Sequence, residues 1–276
     1  MNKNQNSFLG RAAASPHIVW AVLFILAPIC FVVYYAFTDS SGAFDVSNFS
    51  QFGTYAPVLL LSLMLALIAT TICLVIGYPV AYAISRAKPS TQKVLIMMLM
   101  LPMWISLLIR TYSLMTLLDN GGLVNSLLIK LGFSPVTMIG TGGAVILGMV
   151  YDFLPYMVLP IYTSISKLDK KYMEAAADLG CNGVQTLFRV MLPLSVPGIV
   201  SGITMVFVPS ISTFYISQKL GGGNFDLIGD TIERQFKYAS TYHVGAAISL
   251  VMMILILISI AVMNRFSDGD GEEMIV

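Results

Sequence analysis

Six apolar runs, at about 18–38, 57–85, 94–118, 143–165, 194–217 and 244–264, decide what this chain can become. A helix needs about 20 apolar residues to cross the hydrocarbon core of a bilayer, and each run reaches that length. Only 11% of the 276 residues are charged and 57% are hydrophobic, whereas a soluble domain carries roughly 25% charged residues. The chain therefore reads as an all-α integral membrane protein with six transmembrane helices. Turn chemistry separates the runs: "TDSSG", "RAKPS", "DNGG", "GTGG" and "GGGN". The first run exceeds the ~7–15 residues of a cleaved signal segment and has no small-x-small site after it, so it reads as a retained helix.

Lysine and arginine set the expected orientation, because cytoplasmic loops collect them. Lys3, Arg11, Arg86, Lys88, Lys93, Lys167, Lys170, Lys171, Arg189 and Arg265 fall on one side of the spans, and Lys130, Lys219, Arg234 and Lys237 on the other. That balance places both termini and the segment 167–193 in the cytoplasm.

Other classes are excluded by what is missing. A net charge of +1 leaves no basic face for nucleic acid. Cys30, Cys73 and Cys181 are too few and too scattered for a disulfide framework or a zinc cluster, and the first two read as packing residues in apolar runs. No G-x-x-x-x-G-K-[ST] occurs, and "GGGN" at 221–224 has neither the strand nor the spacing of a dinucleotide fingerprint. It reads as a flexible outer turn. His17 and His243 sit near membrane edges, and the spans hold no cluster of His and carboxylates, which speaks against a membrane-embedded enzyme. No metal or cofactor is expected.

Pro28, Pro79, Pro102, Pro155, Pro160, Pro197 and Pro209 lie within the spans or at their ends. Each removes a backbone donor, and in lipid the freed carbonyl needs a neighbouring helix or a wet cavity. Two readings follow: helices that line a path, or simple kinks.

Between spans four and five the chain turns charged and alanine-rich: "EAAADLGCNGVQTLFRVMLP", residues 174–193. Asp169 can cap a helix from Lys170 to Leu179, and Gly180 supplies a left-handed stop. About 10 residues is too short for a helix stable alone in water. Asp178 lies at the wrong end of the helix dipole and repels Glu174 one turn earlier. Ala175, Ala176 and Ala177 let another backbone approach, while Tyr172, Met173 and Leu179 offer an apolar contact. The segment is either docked on a partner or a connector folded on its own bundle.

The spacing Glu174-Ala175-Ala176, three residues, Gly180, nine residues, Val190, one residue, Leu192-Pro193 resembles the signature of the permease subunits of bacterial ABC importers. Three further stretches, "LPMWISLLIRTYSLMTLLDNGGLVNSLLIKLG", "SISKLDKKYMEAAADLG" and "LGGGNFDLIGDTIERQF", resemble its spermidine/putrescine branch, above all the first of the two permease subunits there. Relatives that move other small amines or aminophosphonates look similar. The resemblance implies one transmembrane permease domain over 1–276 in the bacterial inner membrane. It implies a homologous second permease, two ATPase subunits that hydrolyse ATP in place of this chain, and an extracytoplasmic polyamine-binding protein received by outer loops such as 39–56 and 219–243. It makes 167–193 a coupling-helix loop seated in the ATPase, with Glu174, Ala175, Ala176, Asp178, Gly180, Val190, Leu192 and Pro193 at the contact.

Two ionisable residues fall well inside spans: Arg110, about eight residues from the outer end of span three, and Asp152, about nine from the outer start of span four. Each charge costs about 2.5–3.5 kcal/mol at a helix centre, so both are expected to face the interior at similar depth. They either pair and fix helix register, or Asp152 faces a path and attracts the ammonium groups of a passing polyamine. In the second case Tyr151, Tyr156, Trp104, Phe214 and Tyr215 would add cation-attracting ring faces. A rival from another class, a stand-alone secondary transporter, needs several ion-coupling carboxylates or an inverted repeat, and the sequence offers one candidate carboxylate and no repeat.

Overall fold

A computed structural model describes residues 16–39, 41–50, 52–223 and 225–272. Lys3 and Arg11 of the charge balance, Ser40 of "TDSSG" and Asn224 of "GGGN" lie outside the described residues. In chain order the helices are α1 (Pro16–Ala36), α2 (Phe52–Arg86), α3 (Pro89–Trp104), α4 (Leu107–Leu118), α5 (Leu123–Lys130), α6 (Gly142–Ser166), α7 (Lys170–Asp178), α8 (Gly183–Leu194), α9 (Val196–Ser212), α10 (Tyr215–Leu220), α11 (Ile228–Phe236) and α12 (Tyr242–Glu272). No strand occurs among the described residues beyond an isolated antiparallel bridge between Thr38 and Phe44.

Four stretches among the described residues are each long and apolar enough to cross a membrane: α1, α2, α6 and Ala239–Arg265. The other two runs are bent. Pro89–Trp104 meets Leu107–Lys130 at 92°, and Gly183–Leu194 meets Val196–Ser212 at 69°. Single helices over 94–118 and 194–217 were the sequence expectation, and proline chemistry explains the difference. Around Pro102 the chain tightens into a 3-10 turn (Leu101–Trp104), then Ile105 and Ser106 take extended backbone. At the second bend Ser195 leaves helical geometry and Pro197 sits in the first turn of the new helix, where its missing N–H costs nothing. Thr213 is extended as well, so the fifth run stops at Ser212 and α10 is a separate short helix.

The packing divides the chain into two compact units, the described residues of 1–55 with 232–255 and those of 56–231 with 256–276. In the first, Ala36, Ala246, Ala247 and Leu250 form a small core. Tyr35 meets Tyr242 edge-on at 4.9 Å and its carbonyl lies 3.1 Å from His243 Nδ1. Asn48 Nδ2 donates to the carbonyls of Ala36 (3.2 Å) and Thr38 (3.0 Å), groups left free by the end of α1. The Asp39 carboxylate accepts from the Ser41 hydroxyl and from the amides of Ser41 and Ala43, which holds its pKa below the ordinary range.

In the second unit α6 is the central post. Val145, Met149, Met157, Val158 and Ile161 are wholly buried along it. Association inside a membrane gains no hydrophobic term from lipid, so it depends on close van der Waals contact between small residues. Gly198 on α9 supplies that contact. A Cβ there would stand 2.5 Å from Ser164 Cβ and 2.8 Å from the Pro160 carbonyl. One helical turn on, a Cβ at Gly202 would stand 2.8 Å from Met157 Sδ and 3.1 Å from the Met157 carbonyl oxygen.

Candidate functional site

The segment 167–193 is a helix–turn–helix held by its own backbone. Asp169 caps α7 by accepting from the Lys171 amide at 3.0 Å. Gly180 has φ +79°, the left-handed geometry expected from the sequence. Its amide donates to the Ala177 carbonyl (2.9 Å) and the Cys181 amide to that of Ala176 (2.9 Å), so two orphan carbonyls are closed in a Schellman turn. The next helix starts at once. Asn182 accepts from the Gln185 amide while the Gln185 side chain accepts from the Asn182 amide, a capping box that the sequence reading passed over.

This ordered turn presents side chains that nothing among the described residues covers. Glu174, Ala175, Asp178, Gly180 and Pro193 are exposed, Val190 and Leu192 are half-buried, and Ala176 alone of the motif is buried. Leu179 is 85% exposed, and Tyr172, Val184 and Phe188 of the same segment are exposed too. Where the segment rejoins the bundle, buried Ser195 marks the 69° bend. Its Oγ donates to the Leu192 carbonyl and lies 3.0 Å from Tyr78 Oη of α2. The bend is thus pinned to the helix that carries Tyr78.

Arg110 and Asp152 meet inside the second unit. Arg110 Nη1 is 3.2 Å from Asp152 Oδ1 and donates to the Asp152 carbonyl at 3.3 Å. Thr111, the residue after Arg110, donates from its hydroxyl to Asp152 Oδ2 at 3.2 Å. Asp152 is 0% and Arg110 5% exposed. Among the described residues the Arg110 Nε has no hydrogen-bond partner, and Asp152 Oδ1 has an ion-pair neighbour without hydrogen-bond geometry. The pair is closed to solvent and incompletely satisfied.

Tyr156 lines a cavity of about 730 Å³ between α6 and α9, with Pro160, Ser164, Lys167, Gly198 and Ser201. Tyr215 lines a smaller groove with Tyr112 of α4. Trp104 (75%), Tyr151 (44%) and Phe214 (41%) leave much of their rings exposed. No group of three or more His, Cys, Asp or Glu suited to a metal ion occurs among the described residues.

The sequence reading passed over Thr111, and it took Lys219 and Asp230 only as parts of an outer loop, with no sign of the rings under Lys219 or of the burial of Asp230. Asp230, 3% exposed, accepts on Oδ2 from the Ser217 hydroxyl (2.6 Å) and the Leu227 amide (2.8 Å). Burial pushes its carboxyl above the ordinary range against the pull of those hydrogen bonds. Its place in the first turn of α11 was legible as a favourable helix start, but its burial was not.

The chain is similar to proteins of known kind. Residues 12–269 match the family described as "Binding-protein-dependent transport system inner membrane component". The chain is 37% identical over 256 residues to the "Spermidine/putrescine transport system permease protein PotB" of Haemophilus influenzae, covering 89% of this chain and 90% of that protein. It is 38% identical over 258 residues to the protein of the same name from Escherichia coli (strain K12), covering 90% and 94%. Among solved structures, a bacterial ABC transporter that imports the acidic polysaccharide alginate superposes with TM-score 0.81 at 18% identity over 96% of both chains. An inward-facing MetNI methionine ABC transporter superposes with TM-score 0.55 at 16% identity, over 79% of this chain and 95% of that one. By fold and by family match, the chain belongs to the binding-protein-dependent transport system inner membrane components, multi-pass transport subunits of ABC importers.

Proposed function

We propose that this chain is a permease subunit of an ATP-driven importer that carries spermidine and putrescine into the cytoplasm. The observation that carries this reading is the 37–38% identity to two spermidine/putrescine permeases over about nine-tenths of the chain. In this reading 1–276 forms one transmembrane permease domain with both termini in the cytoplasm. It pairs with a homologous permease, two ATPase subunits and an extracytoplasmic binding protein. The loaded binding protein docks outside, ATP closes the ATPase dimer, and the closure exposes the membrane path alternately to each side.

Residues 167–193 are the docking plug for the ATPase. Leu179, Tyr172, Val184 and Phe188 offer apolar surface on a turn whose backbone is already ordered, so little entropy is lost on docking. Glu174, Ala175, Ala176, Asp178, Gly180, Val190, Leu192 and Pro193 form or shape that contact. Movement of the plug reaches the bundle through the bend at Ser195. On the path itself, Asp152 attracts substrate ammonium groups once the pair with Arg110 opens, aided by Trp104, Tyr151, Tyr156, Phe214 and Tyr215. The buried pair is under-satisfied, which favours its exchange for a cationic ligand.

The test is reconstitution of the four kinds of subunit in vesicles and uptake of radiolabelled spermidine. Uptake is expected only with ATP, the ATPase and the binding protein together. Uptake that follows an ion gradient without the ATPase would support a secondary transporter instead. Transport of another small amine, with spermidine excluded, would move the assignment to a neighbouring branch.

A further inference from the structure

Lys219 lies over two tyrosine rings. Its Nζ is 5.1 Å from the ring centroid of Tyr112 and 5.7 Å from that of Tyr215. Both distances fall within the ~6 Å at which the negative face of a ring attracts a cation. Tyr215 and Lys219 stand at i and i+4 on α10 and share a face. Tyr112 comes from α4, which packs against α10. Among the described residues Lys219 makes no salt bridge, so its charge rests on the rings. The same two rings wall an open groove of about 340 Å³ with Leu108, Ile109, Ser113 and Thr116. Tyr112 is 49% exposed, so a ligand can reach it.

We propose that Tyr112 and Tyr215 form a binding site for a primary alkylammonium group, and that Lys219 is a tethered stand-in which an arriving substrate ammonium displaces. The inference rests on the polyamine reading above and adds a subsite to it. The chemistry of the occupant is the argument. A lysine side chain is four methylenes ending in a primary ammonium, so a site that seats it also fits an aminobutyl arm. The stand-in is exchangeable, because a partly exposed cation–π contact is weak beside a buried charge-assisted hydrogen bond. A polycation gains from exchange where a monovalent ion does not, since its second charge remains available to another acceptor. While the site waits, Lys219 holds α10 against α4.

The test uses the complete importer in detergent, without binding protein, and spermidine binding followed by saturation-transfer NMR at fixed ionic strength. Lys219→Met keeps the apolar stem and drops the charge, and is expected to tighten the apparent Kd about three- to tenfold. Tyr112→Ala should weaken it by a comparable factor, whereas Tyr112→Phe, which keeps the ring face, should stay within about twofold. In the unaltered importer, acetylation of Lys219 read by mass spectrometry should rise when spermidine is added. That readout decides even where Tyr112→Ala fails to assemble. Unchanged affinity in Lys219→Met and Tyr112→Ala, or weaker binding in Lys219→Met, overturns the subsite while spermidine uptake by the unaltered importer keeps the polyamine reading. No spermidine binding or uptake by the unaltered importer overturns both.

Discussion

Arg110 and Asp152, 42 residues apart in sequence, form an ion pair of 3.2 Å with both side chains almost wholly excluded from solvent. Breaking a buried pair by removing one partner costs about 3–5 kcal/mol, because the other charge is stranded. Asp152→Asn or Arg110→Gln alone should therefore reduce the amount of assembled importer. The double variant should restore assembly but leave spermidine uptake low per complex, because the proposed path role of Asp152 needs its carboxylate. Assembly measured by co-purification and uptake normalised to complex separate the two effects. Full recovery of uptake in the double variant would leave the pair with a purely architectural role.

Gly180 tests the docking plug. Nothing lies within 4 Å of a Cβ built there, so substitution costs conformation and not space. At φ +79° a non-glycine residue loses about 1–2 kcal/mol, with asparagine least affected and a β-branched residue most. Uptake and ATPase retention on purification should fall in the order Gly180→Asn, Gly180→Ala, Gly180→Val, with membrane insertion unchanged. Equal activity across the three would detach the Schellman turn from function.

Cys181, next to that turn, reports orientation. A membrane-impermeant thiol reagent should leave it unlabelled in intact cells and label it in inverted vesicles stripped of ATPase. Bound ATPase should slow the reaction. Labelling from outside intact cells would reverse the topology proposed for 167–193.

Asp230 makes stability depend on pH. Burial raises its carboxyl above the ordinary range, Asp226 reinforces the shift, and hydrogen bonds from Ser217, Gln218 and Leu227 oppose it. A group whose folded pKa is raised contributes stability that is full below its unfolded value and lost as pH rises through the folded one. Asp230→Asn keeps an acceptor for Ser217 and Leu227 and removes the titration. In melts from pH 4 to pH 8, the variant should gain on the unaltered protein as pH rises. A difference that stays constant with pH would show that Asp230 holds one protonation state throughout.

Gly198 tests the crossing of α6 and α9. Its Cβ position is blocked by Ser164 and by the Pro160 carbonyl, and the carbonyl cannot rotate away. Overpacking of this kind costs about 1–3 kcal/mol. Gly198→Ala should lower the melting temperature by several degrees and Gly198→Leu should impair assembly. A melting temperature unchanged in Gly198→Ala would mean that the helices separate without penalty.

The sequence by itself determined the elements whose causes are local. Apolar length defines the four unbroken spans, because a bilayer demands that length of any helix that crosses it. Asp169 and Gly180 bound α7 where their capping chemistry acts, and the structure begins and ends the helix there. The Asn182–Gln185 box was equally local and was legible, though unread. Proline positions were visible too, yet α2 runs straight through Pro57 and Pro79 while the third run breaks after Pro102. Which outcome a proline has depends on whether neighbouring helices satisfy the freed carbonyl, and that is a tertiary matter. The tertiary structure alone decided which way Asp152 faces, that the Thr111 hydroxyl donates to one of its oxygens, and that Lys219 folds back onto Tyr112. Helical periodicity lists the residues on each face, but the choice of neighbour comes from how closely two helices approach, and that distance is set by small residues such as Gly198 pressed against another chain segment.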